Sequence, residues 1–130
     1  MKWTREWVWR LLLTMLLVGH AVGMKISHAA EWTPADTKRE LVWQGLWALD
    51  WGQTRYIAEH PDKFFERNAI LGKHPSVGRV NTYFVLTGAL HYWLMRKAEP
   101  GTRKMLQWVT IGIGASNVAN NYHMGVRVGF

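Results

Sequence analysis

This chain predicts an all-α fold, a small membrane-embedded bundle of three helices behind an N-terminal targeting segment, and three features lead there. Apolar runs over residues 41–58, 80–95 and 105–119 have helical length and are separated by proline and glycine punctuation. Each run carries polar side chains four residues apart: Asp50 and Thr54, Thr87 and His91, Asn117 and Asn121. Positions i and i+4 share a helix face, so each helix shows one polar stripe on an otherwise apolar cylinder. The third feature is tryptophan, nine in all, with Trp3, Trp7, Trp9, Trp32, Trp93 and Trp108 standing where an apolar run meets charge. Indole favours the membrane–water interface, and polar groups inside a membrane must find partners within the bundle.

Residues 1–29 read as a signal peptide. Lys2, Arg5 and Arg10 form a positive start, 11–24 an apolar core, and Ser27 and Ala29 the small residues of a cleavage site after Ala29; a retained signal anchor is the alternative. The remainder, 30–130, is too short for two cores and forms one helical domain. Thr33 as N-cap and Pro34 at the first helical position open a helix over 34–59. Its stretch 41–49 is apolar around most of the circumference apart from Gln44, which predicts burial on several sides. His60-Pro61-Asp62 ends that helix. Phe64, Phe65, Ile70 and Leu71 make 63–78 too apolar for a solvated linker, so a short amphipathic turn is expected, capped by Gly72 and leaving through Pro75. A second helix over 77–96 meets the turn signal Glu99-Pro100-Gly101, and a third follows over 102–121. Alternating Tyr122, Met124, Val126, Val128 and Phe130 predict a short extended tail.

The net charge of +7 is spread through the loops, with no helix-turn-helix or RNA-binding signature, so no nucleic acid is expected as a partner. Anionic lipid headgroups of a bacterial inner membrane suit basic loops beside apolar helices, and self-association into a homo-oligomer is the second expected contact. A mean hydropathy of −0.15 and the modest run lengths support a rival architecture, an exported soluble or peripheral domain of the periplasm. The absence of cysteine rules out disulfides, thiolate zinc sites and a cysteine nucleophile.

For chemistry, the stripes predict one buried polar cluster of Asp50, Thr54, His91, Asn117 and Asn121. Within it Asp50 would pair with His91, an arrangement able to pass a proton; the plainer account is interhelical hydrogen bonding that fixes helix register. His60, His74, His91, His123, Asp50 and Glu66 are ligand-capable, but no pair sits at metal-binding spacing on one turn, so neither metal nor cofactor is expected. There is no GxSxG elbow, and the glycine-rich 110–116 lacks the lysine of a phosphate loop; Gly112 and Ser116 instead suit close helix approach. A non-enzymatic protein is therefore expected. A holin-like permeability protein is the alternative, although only Arg127 follows Lys104 where a holin carries a charged tail.

The most distinctive blocks are Asp50-Trp51-Gly52-Gln53-Thr54 and Glu66-Arg67-Asn68-Ala69-Ile70-Leu71-Gly72-Lys73-His74-Pro75-Ser76. Together they resemble small bacterial and phage-borne membrane proteins with an Asp-x-x-x-Thr helix, a Glu-x-Asn-x-x-Leu-Gly-x-x-Pro link and further helices, among them the family of unknown function DUF5658. The resemblance implies a helical membrane fold, puts weight on Asp50, Thr54, Glu66, Asn68, Gly72 and Pro75, and supplies no activity. From the residues alone, Asn68 suits a backbone-bonded turn, and Glu66 suits pairing with Arg67, Lys73 or Arg79, worth only about 0–1 kcal/mol when exposed.

Overall fold

Thr33 starts the first helix by a reciprocal cap. Its hydroxyl accepts the Asp36 N–H at 3.1 Å, and the Asp36 carboxylate accepts the Thr33 N–H at 2.9 Å, satisfying two donors that a helix start leaves orphaned. In the computed structural model, which describes residues 31–130, three helices follow: α1 (Pro34–Glu59), α2 (Val77–Lys97) and α3 (Pro100–His123). The fold class is all-α, as predicted. The expected signal segment with its cleavage site, and Trp3, Trp7 and Trp9, lie outside the described residues.

Helix ends follow local chemistry. α1 stops at His60, whose N–H bonds the Ile57 carbonyl just before Pro61. The Ser76 hydroxyl caps α2 through the Arg79 N–H at 3.2 Å. α3 begins at Pro100, two residues ahead of expectation, because a proline at the first helical position has no N–H to waste and a preset φ. It ends on Gly125 at φ +83°, with the Val126 N–H reaching the Asn121 carbonyl and the Gly125 N–H reaching Tyr122. That double closure is a Schellman motif, and the positive φ is why glycine stands there.

The link forms no helix. Asn68 Oδ1 accepts the Ile70 N–H at 2.9 Å, the Gly72 N–H returns to the Asn68 carbonyl, and Gly72 takes φ +80°. This turn drives Leu71 into the core against Val80 and Phe84, where Trp47, Trp51, Ala58 and Tyr83 also pack. The tail, which has no helix or turn over 126–130, packs back on α1: Val126 is fully buried, and the Gly129 N–H bonds the Gly52 carbonyl at 3.0 Å.

α1 is the central helix. It runs antiparallel to α2 and parallel to α3, while α2 and α3 touch each other little. Two glycines permit the close crossings. A Cβ on Gly88 would sit 3.1 Å from Trp47 Nε1, and one on Gly114 would sit 3.3 Å from Leu46 Cβ. Gly112, the residue expected to allow close approach, faces open space; the contact falls two residues later because α1 lies on the other side of α3.

Burial corrects a second expectation. The 41–49 stretch is not enclosed on several sides, since Leu41 is 66% exposed and Val42 and Leu49 also face outward. Among the described residues, buried polar or charged side chains match buried apolar ones, eight against eight. Exposed large apolar side chains beside this share of buried polar ones depart from the usual water-soluble pattern. Among the described residues no helix is long and apolar enough to cross a membrane.

Candidate functional site

Two polar constellations occupy the bundle, one at the start of α1 and one along its second half. The first starts at the helix cap. The fully buried Arg103 of α3 donates to the Asp36 carboxylate at 2.8 Å and to the carbonyls of Met95, Ala98 and Glu31. Arg39 pairs with Asp36 from the other side and donates to Gln107 Oε1 at 2.8 Å. Gln107 in turn donates to the Asp36 carbonyl and to Glu40. His91 closes the chain, its ring stacked on Trp43 at 3.5 Å between centroids, with Nδ1 3.3 Å from Glu40 and Nε2 3.0 Å from Thr110. The Thr110 hydroxyl gives its only proton to the Gln107 carbonyl, so His91 Nε2 donates to it.

Burial works against the Asp36 carboxylate, but the bonds from Thr33 and Arg103 outweigh it and hold its pKa below the usual aspartate value. A lowered carboxyl pKa stabilises the folded state above the unfolded value of ~3.9 and loses that contribution as pH falls through the folded value. The parent should therefore unfold at lower temperature at pH 3 than at pH 7 by more than Asp36→Asn does. Circular dichroism melts of both proteins check this, and an equal acid shift in the two would contradict it.

The second constellation is a cavity of about 340 Å³ between the last turns of α3, the second half of α1, the start of α2 and the link. Asp50, Thr54, Asn117 and Asn121, all predicted from their spacing, line it together. Asn121 Nδ2 donates to Asp50 Oδ1 at 3.1 Å and to Gln53 Oε1 at 3.2 Å, and Asn117 also bonds Asp50. Asn117 is exposed, so it forms the rim rather than part of the buried group. Thr54 is only 3% exposed, yet its hydroxyl makes no hydrogen bond with any described residue. From the link, Glu66 and Asn68 reach the same cavity, while Gly72 and Pro75 shape the turn and do not line it. Glu66 Oε1 accepts the Asn68 N–H at 2.7 Å, a turn-making bond in place of the expected surface ion pair. Trp47, Phe65, Tyr83 and Phe84 supply aromatic walls.

His91 is the corrected member of the predicted cluster. Along the antiparallel α1–α2 crossing, Trp51 meets Asn81, Trp47 meets Phe84 and Trp43 meets His91. His91 thus falls beside Glu40, two to three turns from Asp50, and no Asp50–His91 bond exists. The network of Asp36, Glu40, Arg103 and Gln107 was missed, although its members obey the same i, i+4 rule; Arg103 reads from sequence as one more basic loop residue. Among the described residues, no three His, Asp or Glu side chains converge as metal ligands. No family model, no curated protein and no solved structure matches the chain.

Proposed function

We propose that this chain is a small membrane-embedded helical protein whose role is binding, through the Asp50 cavity, rather than catalysis. The observation that supports it is a charge-free outer belt. Between Lys38 and Glu59 the exposed residues of α1 are Leu41, Val42, Gly45, Ala48 and Leu49. Between Arg79 and Arg96 those of α2 are Val85, Leu86, Ala89, Tyr92 and Trp93. Beyond Lys104, α3 exposes Met105, Trp108, Val109, Gly112 and Ile113 before the rim of the cavity. At about 1.5 Å per residue, Lys38 to Glu59 rises ~31 Å, near the ~30 Å of a hydrocarbon core, with the exposed apolar residues over 41–49 and a one-fifth exposed Arg55 toward its far end. Trp93 and Trp108 stand one turn inside Lys97 and Lys104, the position indole takes at an interface. Averaged hydropathy is low because it counts the inward Asp36, Glu40, Asp50, Gln53, Arg103 and Gln107, which lipid would not meet. The resemblance of the 50–54 and 66–76 blocks to membrane proteins points the same way.

The same low average favours a second reading, a peripheral domain that lays this belt on a membrane or a partner. The chain has no cysteine, so single cysteines report cleanly. In membranes opened to a water-soluble maleimide on both faces, cysteines at Leu41, Leu49, Val85 and Val109 should stay unlabelled until denaturation. Cysteines at Lys38, Asp62 and Lys97 should label at once. Belt cysteines that label as fast as these, with release of the protein by alkaline carbonate, would overturn the membrane reading in favour of the peripheral one.

A further inference from the structure

We infer that the Asp50 cavity binds a small organic cation, an ammonium group carried on a short apolar body. This deepens the binding role proposed above and rests on it, though not on where the membrane lies. Two carboxylates, Asp50 and Glu66, line the cavity, and no ion pair among the described residues includes either one. Arg67, the basic side chain on the lining, is exposed. Asp50 is 9% exposed and is met only by neutral amides, which solvate a carboxylate without cancelling its charge. A buried charge left in that state is costly, and a cation of ligand origin relieves it.

A second, independent feature points to an occupant. Thr54, a side chain 3% exposed, lines the same space, and its hydroxyl, with no hydrogen bond to a described residue, is free to accept an ammonium N–H. The walls fit the rest of such a ligand. Trp47, Tyr83 and Phe84 offer ring faces that attract a cation and pack its methylenes. The volume, about 340 Å³, is of the size that takes a small molecule rather than a single bare ion. Neutral polyols would satisfy the amides but leave both carboxylates uncompensated.

The test is isothermal titration of the purified full-length protein, in mild detergent or, where carbonate releases it, in buffer alone, with n-butylammonium and with tetramethylammonium, against n-butanol as the neutral match of the first. Saturable binding of an ammonium ion is expected, with n-butanol weaker by about tenfold or more. Asp50→Asn keeps an acceptor for Asn121 and removes the charge, so it should weaken ammonium binding by about tenfold or more, and Glu66→Gln should act in the same direction. Circular dichroism confirms that each variant is folded. Equal binding of butanol would make this a neutral-ligand site. Displacement of the ammonium by calcium with equal sensitivity to Asp50→Asn would make it an inorganic-cation site. Either outcome, or no ammonium binding by folded protein at millimolar concentration, overturns the inference. The cysteine scan is unaffected by all three, so the membrane reading and the ligand class fail separately.

Discussion

Arg103→Met should destabilise the folded protein by about 3–5 kcal/mol, the usual loss when one partner of a buried ion pair is removed. The guanidinium is 0% exposed and serves four acceptors at once: the Asp36 carboxylate and the carbonyls of Met95, Ala98 and Glu31. It also lies 5.1 Å from the centre of the Trp32 ring. Methionine fills much of the volume but donates nothing, so three carbonyls lose this donor and the buried Asp36 carboxylate keeps only Arg39 and Thr33. Arg103→Lys should recover only part of the loss, since one ammonium cannot copy the fork that spans these acceptors. Asp36→Leu should cost less in the Arg103→Met background than in the parent, because the bond between the two is already gone, while Arg39 and Thr33 lose the carboxylate in both. Denaturant unfolding of the purified protein measures all three. A loss under about 1 kcal/mol for Arg103→Met would mean that water reaches this network freely.

Gly88→Leu should cost about 1–3 kcal/mol, the range for overpacking a filled contact, whereas Gly112→Leu should change stability by less than about 0.5 kcal/mol. Both glycines lie inside helices on apolar runs, and helix propensity alone would favour leucine at either by several tenths of a kcal/mol. The difference is what lies opposite. A Cβ at Gly88 meets Trp47 Nε1 at 3.1 Å and Cδ1 at 3.4 Å, while nothing lies within 4 Å of Gly112. Trp47 has little room to yield, since its N–H donates to the Phe84 carbonyl at 3.0 Å and its ring stacks on Trp43 at 5.0 Å. Near-ultraviolet circular dichroism should therefore change for Gly88→Leu and stay as in the parent for Gly112→Leu. Equal effects of the two substitutions would place the α1–α2 crossing elsewhere.

These two positions also show what a sequence can and cannot disclose. The i, i+4 rule picked out Asp50 with Thr54 and Asn117 with Asn121, and all four line one cavity. The same rule applied to Asp36 with Glu40 and to Arg103 with Gln107 would have found the second network. Those pairs lie at the ends of the apolar runs, where charge reads as a solvated loop. His91 was placed on the right helix and beside the wrong partner, because an antiparallel crossing sets it opposite Glu40 rather than Asp50. Gly112 and Gly114 look alike in sequence, and only the side from which α1 approaches distinguishes them.

Residues within one helical turn of each other suffice to determine where this chain starts and stops its helices. Thr33 with Asp36, Pro34, Pro61, Ser76, Pro100 and Gly125 act on neighbouring N–H and carbonyl groups, so these limits are written locally. Which stripes meet is decided only when α1 lies between α2 and α3. The hand of that packing and the two-residue connection at Ala98–Glu99 set the axial register across tens of residues. That register puts Arg103 under Asp36 and leaves Asp50 and Glu66 facing one cavity with no ion pair to either among the described residues.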